Sequence, residues 1–260
     1  MNRFNTALMF IICSIPSLYA QELSVPQAVH QRYTHELEQE HTSLINNLLR
    51  IFDVSNQEWQ EELIQARRDS DQEDEACKAR YTRMYDRINP ELEARFHALL
   101  RAQGINGSDV IMINNGGFPE AGKGFVGCSK HSFDSMKLTV KEQDALLLHE
   151  IAHIIHEDVV VWNALYSLLN KTPWYRKAAA FPLMVKWHWF KERRADLTAC
   201  LAGYSYAQAL GEALRKIVPF SSTIQTSHPT FKSRARYIQA FCEHVVSDAT
   251  TDGAVSVTKS

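Results

Sequence analysis

The stretch that decides the fold is Ala145–His156, A-L-L-L-H-E-I-A-H-I-I-H. Leu146, Leu147, Leu148, Ile151, Ala152, Ile154 and Ile155 leave a helix here apolar nearly all round, which predicts a buried helix. Within it His149, Glu150 and His153 form an H-E-x-x-H motif. Residues four apart on a helix share a face, so the two imidazoles can offer their nitrogens to one metal ion. Glu150, one residue on, is placed to meet a water at that metal. Two histidines and a carboxylate among aliphatic side chains are unfavourable without partners, and a cation is such a partner. An amphipathic helix with two incidental histidines does not explain the apolar surround.

A catalytic zinc takes three protein ligands and an open position for water, and the motif supplies two of the three. The best third candidate is Glu192. Asp196 lies one turn further on the same face, where it can hydrogen-bond a ligand histidine and fix its tautomer. Both sit between Trp187-His188-Trp189-Phe190 and Leu197–Leu201, in a segment that reads as buried. His156 and His188 are rival ligands, though each reads better as a hydrogen-bonded core or rim histidine. His228 precedes Pro229, which disfavours helical backbone at His228 and leaves it on a loop, free to reach a cleft. Arg234 falls inside the helix that follows, where a guanidinium anchors by pairing with a carboxylate or with carbonyls.

Upstream of the motif, Asp109–Asn114 reads as a buried strand closed by the turn Asn115-Gly116-Gly117. Gly124–Ser129 and Ser135–Thr139 are expected as further strands, and Thr139 with Glu142 as a capping box opening the motif helix. Gln27–Gln103 is helical by its apolar spacing, in Leu44, Ile45, Leu48, Leu49, Ile51 and Phe52, then Tyr81, Met84, Tyr85 and Ile88, then Leu92, Phe96, Leu99 and Leu100. Asp69–Glu75 is expected as a solvated acidic turn or helix start, and Asn89-Pro90 as a break. After His156 the chain is expected to stay helical to about Leu169. Ala178–Phe190 should be a buried helix rather than a membrane hairpin, since Pro182 and Lys186 interrupt it, and it should run on to a C-cap at Gly203. Tyr206–Val218 and a helix from Ser227-His228-Pro229 to about Val245 complete the series.

Met1–Ala20 reads as a secretory signal: Arg3 is the positive start, Ala7–Leu18 is mostly apolar, and Ala20 is small. That makes the expected location exported, in a periplasm or secreted. Without Cys13, the cysteines Cys77, Cys128, Cys200 and Cys242 permit two disulfides, with single buried thiols as the alternative. The net charge of −2 comes without a basic block, so nothing in the charge points to nucleic acid or to an anionic membrane surface. The expected organisation is a signal at 1–20, an N-terminal helical extension at 21–103, a metallopeptidase domain at 104–246 and a disordered tail at 247–260. The expected fold class is α+β, mainly helical, with a small sheet before the active-site helix.

H-E-I-A-H, then E-R-R-A-D, then S-H-P-T-F-K-S-R, in that order over about Asp109–Val245, resembles the gluzincin zinc metallopeptidases of the HtpX, BepA and CAAX-prenyl-protease type. The resemblance implies a zincin-like fold and an exported zinc-dependent endopeptidase acting on polypeptides in envelope protein quality control. It implies one zinc per chain on His149, His153 and Glu192, with Glu150 as base and His228 stabilising the oxyanion. Asp196 and Arg234 would support the ligands. Two departures stand out. Arg194 occupies the place before the alanine where the family often has an acid, and no Asn-Ala-Phe element precedes the helix, Gly117-Phe118 standing nearest to it. The intramembrane helices of HtpX are missing too, so no stable membrane span is expected once the signal is removed. The rival reading is a non-hydrolytic, chaperone-like homologue that keeps the metal and holds unfolded chains.

Overall fold

In the computed structural model residues 25–84, 88–107, 109–218 and 229–251 are described. The expected signal at 1–20, His228 and the end of the tail, 252–260, lie outside them.

Three helices open the chain: α1 (Gln27–Phe52), α2 (Asn56–Met84) and α3 (Pro90–Ala102). They bury the residues the periodicity picks out, Leu44, Ile45, Leu48, Leu49 and Phe52 on α1 and Leu92, Phe96, Leu99 and Leu100 on α3. Asn89 caps α3, its side-chain oxygen accepting from the Leu92 amide at 3.1 Å, with Pro90 in the first turn. Asp69–Glu75 is neither a turn nor a helix start. It lies in the middle of α2, and its Asp74 is buried, accepting from the amides of Lys123 and Gly124. The segment is acidic because it receives a backbone loop, not only because it faces water.

A three-stranded sheet follows, of β1 (Ile111–Asn114), β2 (Glu120–Ala121) and β3 (Phe125–Cys128) in the order β1-β3-β2. β3 is central, parallel to β1 with Ile111 opposite Phe125, and antiparallel to β2 with Glu120 opposite Gly127. The two-residue β2 is too short to leave an alternating pattern in the sequence. The strand expected at Ser135–Thr139 does not form. Instead α4 (Lys130–Ser135) ends in a turn with Lys137 at φ 53°, anchored by the buried Phe133, Met136 and Leu138.

The central helix is α5 (Val140–Ile155). Its capping box is formed: the Thr139 hydroxyl accepts from the Glu142 amide at 3.3 Å and the Glu142 carboxylate accepts from the Thr139 amide at 2.7 Å. α5 does not continue past His156. Glu157 takes a left-handed conformation, φ 51°, clamped by Arg67 of α2 at 3.1 and 2.7 Å, and a separate helix α6 (Asp158–Lys171) leaves in a new direction. No glycine or proline announces this corner; the Arg67 clamp, 90 residues away in sequence, holds it.

α7 (Trp174–Leu201), α8 (Tyr204–Ile217) and α9 (Phe231–Thr251) complete the fold. α7 stops before Gly203, which serves as the extended residue opening α8 rather than as a C-cap. α9 runs to Thr251, so the start of the expected disordered tail is helical. α5 is surrounded by α3, α6, α7, α8 and the sheet, while α1 packs on α7 and α2 on α6. One apolar core includes Leu48 and Phe96 together with Leu147, Ile151 and Leu210, so the N-terminal helices share it with the rest. The architecture is α+β and mainly helical. Among the described residues no helix is long and apolar enough to cross a membrane. Cys77, Cys128, Cys200 and Cys242 are all free thiols, which answers the choice between disulfides and single thiols.

Candidate metal centre

α5 and the C-terminal half of α7 pack side by side, and their facing residues carry the polar groups. His149, His153 and Glu192 are all buried, and one ligand atom from each lies within 4.8 Å of the others. The His149 and His153 Nε2 atoms are 3.2 Å apart, and the Glu192 carboxylate oxygens lie 3.5 Å from the first and 3.7 Å from the second. The rings meet edge to face at 4.7 Å, so both aim their outer nitrogens at a common point.

Each histidine is held from behind through its other nitrogen. His149 Nδ1 lies 2.8 Å from Asp196 Oδ1, and His153 Nδ1 lies 2.7 Å from Asp158 Oδ2. A carboxylate there places the proton on Nδ1 and, whenever the ring is neutral, leaves Nε2 as a lone-pair donor toward the centre. Asp196 is in turn gripped by Arg234, whose Nε and Nη2 donate at 2.8 and 2.6 Å, and by the Tyr237 hydroxyl. Arg234 also donates to Glu192 from Nη1 at 3.2 Å. Asp158 accepts from Arg194, whose guanidinium lies over the rings of Trp187 and Phe190.

The electrostatics follow from these contacts. Burial pushes the Asp196 carboxyl up, but Arg234 and His149 outweigh it and hold it down to about 2. Burial likewise works against Asp158, and Arg194 and His153 keep it below its ordinary value. Burial and Arg234 depress His149, yet Asp196 and Glu192 prevail and raise it to about 9. The acids around this imidazole favour a positive charge at the place where the ligand atoms converge.

Glu150, next to His149 in the chain, is buried too. Burial, with the Glu150 carboxylate adding to it, drives the thiol of Cys128 on β3 up to about 12, which places Glu150 on the sheet side of α5. The rival histidines are elsewhere. His156 Nε2 is 2.9 Å from the Thr198 hydroxyl, and burial and Arg194 push its imidazole down to about 3. His188 packs on Trp162, ring centroids 4.1 Å apart. His228 is not among the described residues. The helix it precedes is anchored by Thr230, whose hydroxyl accepts from the Ser233 amide at 3.1 Å.

Sequence reasoning brought His149, His153, Glu192, Asp196 and Arg234 to one place, and Arg234 pairs with carboxylates as a buried guanidinium should. It missed Asp158 and Tyr237. Asp158 lies five residues past His153, off any helical face, and only the corner at Glu157 returns it to the imidazole. The signal that could have found it is an acid set directly against the apolar run Val159-Val160-Val161-Trp162. Arg194 stands opposite that acid, which gives the departure at this position a physical reason.

A cavity of about 580 Å³ opens away from this centre, between α2, the sheet and the end of α5. Its charged lining is largely satisfied internally, Asp71 pairing with Lys123 and Asp74 taking two backbone amides. Among known proteins, no family model, no curated protein and no solved structure matches this chain, so its centre is read from its own geometry.

Proposed function

We propose that the chain is a metal-dependent peptide hydrolase of the gluzincin kind, exported, with one zinc held by His149, His153 and Glu192. The observation that carries the reading is the convergence of these three buried side chains from two helices, with Glu150 buried next to His149 in the chain. The donor set fits the ion: two imidazole nitrogens and one carboxylate suit zinc, and the acids behind both imidazoles strengthen them as ligands. When bound, the metal would supply Lewis acidity to the scissile carbonyl and make water a nucleophile near neutral pH.

The chain's own residues do the rest. Glu150 takes the proton from the attacking water and hands it to the leaving amine nitrogen. Asp196 and Asp158 hold the imidazoles with Nε2 inward, and Arg234 keeps Asp196 and Glu192 from swinging away. His228, which precedes Pro229 in the chain, would donate a hydrogen bond to the developing oxyanion, the kind of contact worth about 3 kcal/mol. The resemblance supplies the substrate class, unfolded polypeptide, and the setting, envelope protein quality control.

The test is metal analysis of the purified chain beside hydrolysis of casein by wild type and Glu150→Gln. About one zinc per chain, with cleavage only in wild type, is the expected result. Zinc without hydrolysis of any unfolded substrate favours the chaperone-like, holding reading. No zinc removes both.

A further inference from the structure

The segment Ala178–Phe190 is buried on one side only. Ala180, Met184, Trp187 and Phe190 face the core. On the other side Trp174 is 80% exposed, Phe181 68%, Tyr175 56% and Trp189 50%. On the neighbouring α6, Tyr166 is 51% exposed and stacks on Trp162, which in turn packs on His188 of α7. Trp174, Ala178, Phe181, Val185 and Trp189 recur at steps of four, three, four and four, which puts them on one stripe of the helix. The stripe spans about 22 Å at the helical rise. Aromatic side chains this exposed, and this aligned, form a patch rather than a scatter of single residues.

The charge along the same stretch is one-sided. From Trp174 to Lys191 the basic residues are Arg176, Lys177, Lys186 and Lys191, and there is no acid, in a chain whose net charge is −2. Arg176 is tied to Asp53 and Lys177 reaches the Asn170 carbonyl, while Lys186 and Lys191 make no ion pair among the described residues.

We propose that this face of α6 and α7 docks on the surface of an anionic bilayer, with Trp174, Phe181 and Trp189 entering the headgroup boundary. Tryptophan and tyrosine favour that boundary, because an apolar ring meets the acyl chains while the polar edge stays wet. A helix with an aromatic stripe and an exposed lysine, Lys186, on its flank lies in the interface plane without spanning it. A second copy is the poorer occupant. A two-fold contact would set the same acid-free, basic stretch against itself, and like charges would meet. Continued by three and then four residues, the stripe reaches Glu192 and Asp196, so docking holds the metal centre one helical turn from the membrane-facing residues. The proposal does not depend on hydrolysis.

The full chain is sedimented with vesicles of phosphatidylcholine alone and of phosphatidylcholine mixed with phosphatidylglycerol. The wild type is expected to co-sediment with the mixed vesicles, less as salt is raised. Phe181→Asp and the pair Trp174→Ala/Trp189→Ala should each lower the partition coefficient at least about tenfold. Lys186→Glu should lower it only on the anionic vesicles, whereas Ile64→Asp, an exposed apolar position on α2, should not change it. All these side chains are exposed, so circular dichroism melts should match wild type and keep loss of binding distinct from loss of fold. Absence of wild-type binding overturns the proposal. So does binding that the α7 variants leave unchanged, which would move the contact to residues 1–24 or elsewhere. A wild-type dimer that the α7 variants split, seen by sedimentation velocity, overturns it in favour of self-association.

Discussion

Asp158→Asn separates two roles that one buried carboxylate performs. The substitution keeps shape and removes charge, and the site shows what must follow. Asp158 is buried, holds His153 Nδ1 at 2.7 Å with one oxygen and receives Arg194 on the other. Arg194 is buried too, and its Nε has no hydrogen-bond partner among the described residues, so the carboxylate is the main compensation for its charge. Removing one member of a buried ion pair leaves the other uncompensated, at about 3–5 kcal/mol. For a chain of this size that is a fall in Tm of roughly 6–20 °C. Independently, an asparagine can present His153 with its amide oxygen but no longer sets a negative charge behind the ring. Loss of such a supporting carboxylate weakens metal binding about 10–100-fold, or roughly 1.4–2.7 kcal/mol.

The two effects separate in the double variant Asp158→Asn/Arg194→Leu. Leucine removes the orphaned guanidinium, and replacing a buried pair by neutral groups is often neutral or stabilising, so most of the Tm should return. The metal affinity should not, because His153 still lacks its anionic partner. Tm comes from calorimetry of the metal-free protein and affinity from competition with a chromophoric zinc chelator. Zinc affinity equal to wild type in Asp158→Asn would refute the role given to this residue. Affinity recovered together with Tm in the double variant would refute the separation, showing that Asp158 acts on the metal only by keeping the chain folded.

Glu192→Ala should bring bound zinc well below one per chain while circular dichroism stays native; unchanged zinc content in the folded variant removes Glu192 from the ligands. Glu150→Gln should keep zinc and Tm and lower casein hydrolysis by about 10²–10⁴-fold, and retained cleavage after exclusion of contaminants rules out the base. His41 gives a pH signature: burial, with Arg194 adding to it, pushes its imidazole from 6.5 down to about 4. The folded state therefore binds this proton more weakly than the unfolded state. The stability it contributes is complete above pH 6.5 and is lost as pH falls toward 4, on the order of 3 kcal/mol in all. His41→Phe, stacked in the same place on Phe190, should flatten that part of the Tm profile, and an unchanged profile would show that another group sets it.

The features legible in the sequence were those that local spacing encodes. The capping box at Thr139, the buried run from Ala145 to His153 and the four-residue steps that join His149 to His153 and Glu192 to Asp196 all depend on neighbours within a turn or two. What was not legible depends on distant partners. The corner at Glu157 needs Arg67, the buried Asp74 needs the amides of Lys123 and Gly124, and Asp158 becomes useful only after the corner has turned. The strand expected at Ser135–Thr139 failed for a different reason. Phe133, Met136 and Leu138 are all drawn inward, a spacing that a turn with one left-handed residue satisfies better than a strand does. α7 was misread on one face because its outer aromatics have the composition of a core without its location.

Formal charge offers a last argument about what the centre is built to hold. Asp158, Glu192 and Asp196 are buried acids around it, Glu150 is a buried acid next to His149 in the chain, and Arg194 and Arg234 are the buried bases. Four carboxylates against two guanidiniums leave two negative charges if both imidazoles are neutral. An uncompensated double charge in a protein interior is strongly unfavourable, and either protons or a cation must meet it. The imidazole of His149, raised to about 9, shows the protons' way of doing so, and it satisfies only part of the deficit. A divalent cation at the point where His149, His153 and Glu192 converge would balance the whole of it, and would leave both imidazoles neutral as ligands must be. Arg194 belongs to that balance: with an acid at its position the deficit would grow to four, whereas here the arginine answers Asp158 and keeps the remaining charge matched to one divalent ion.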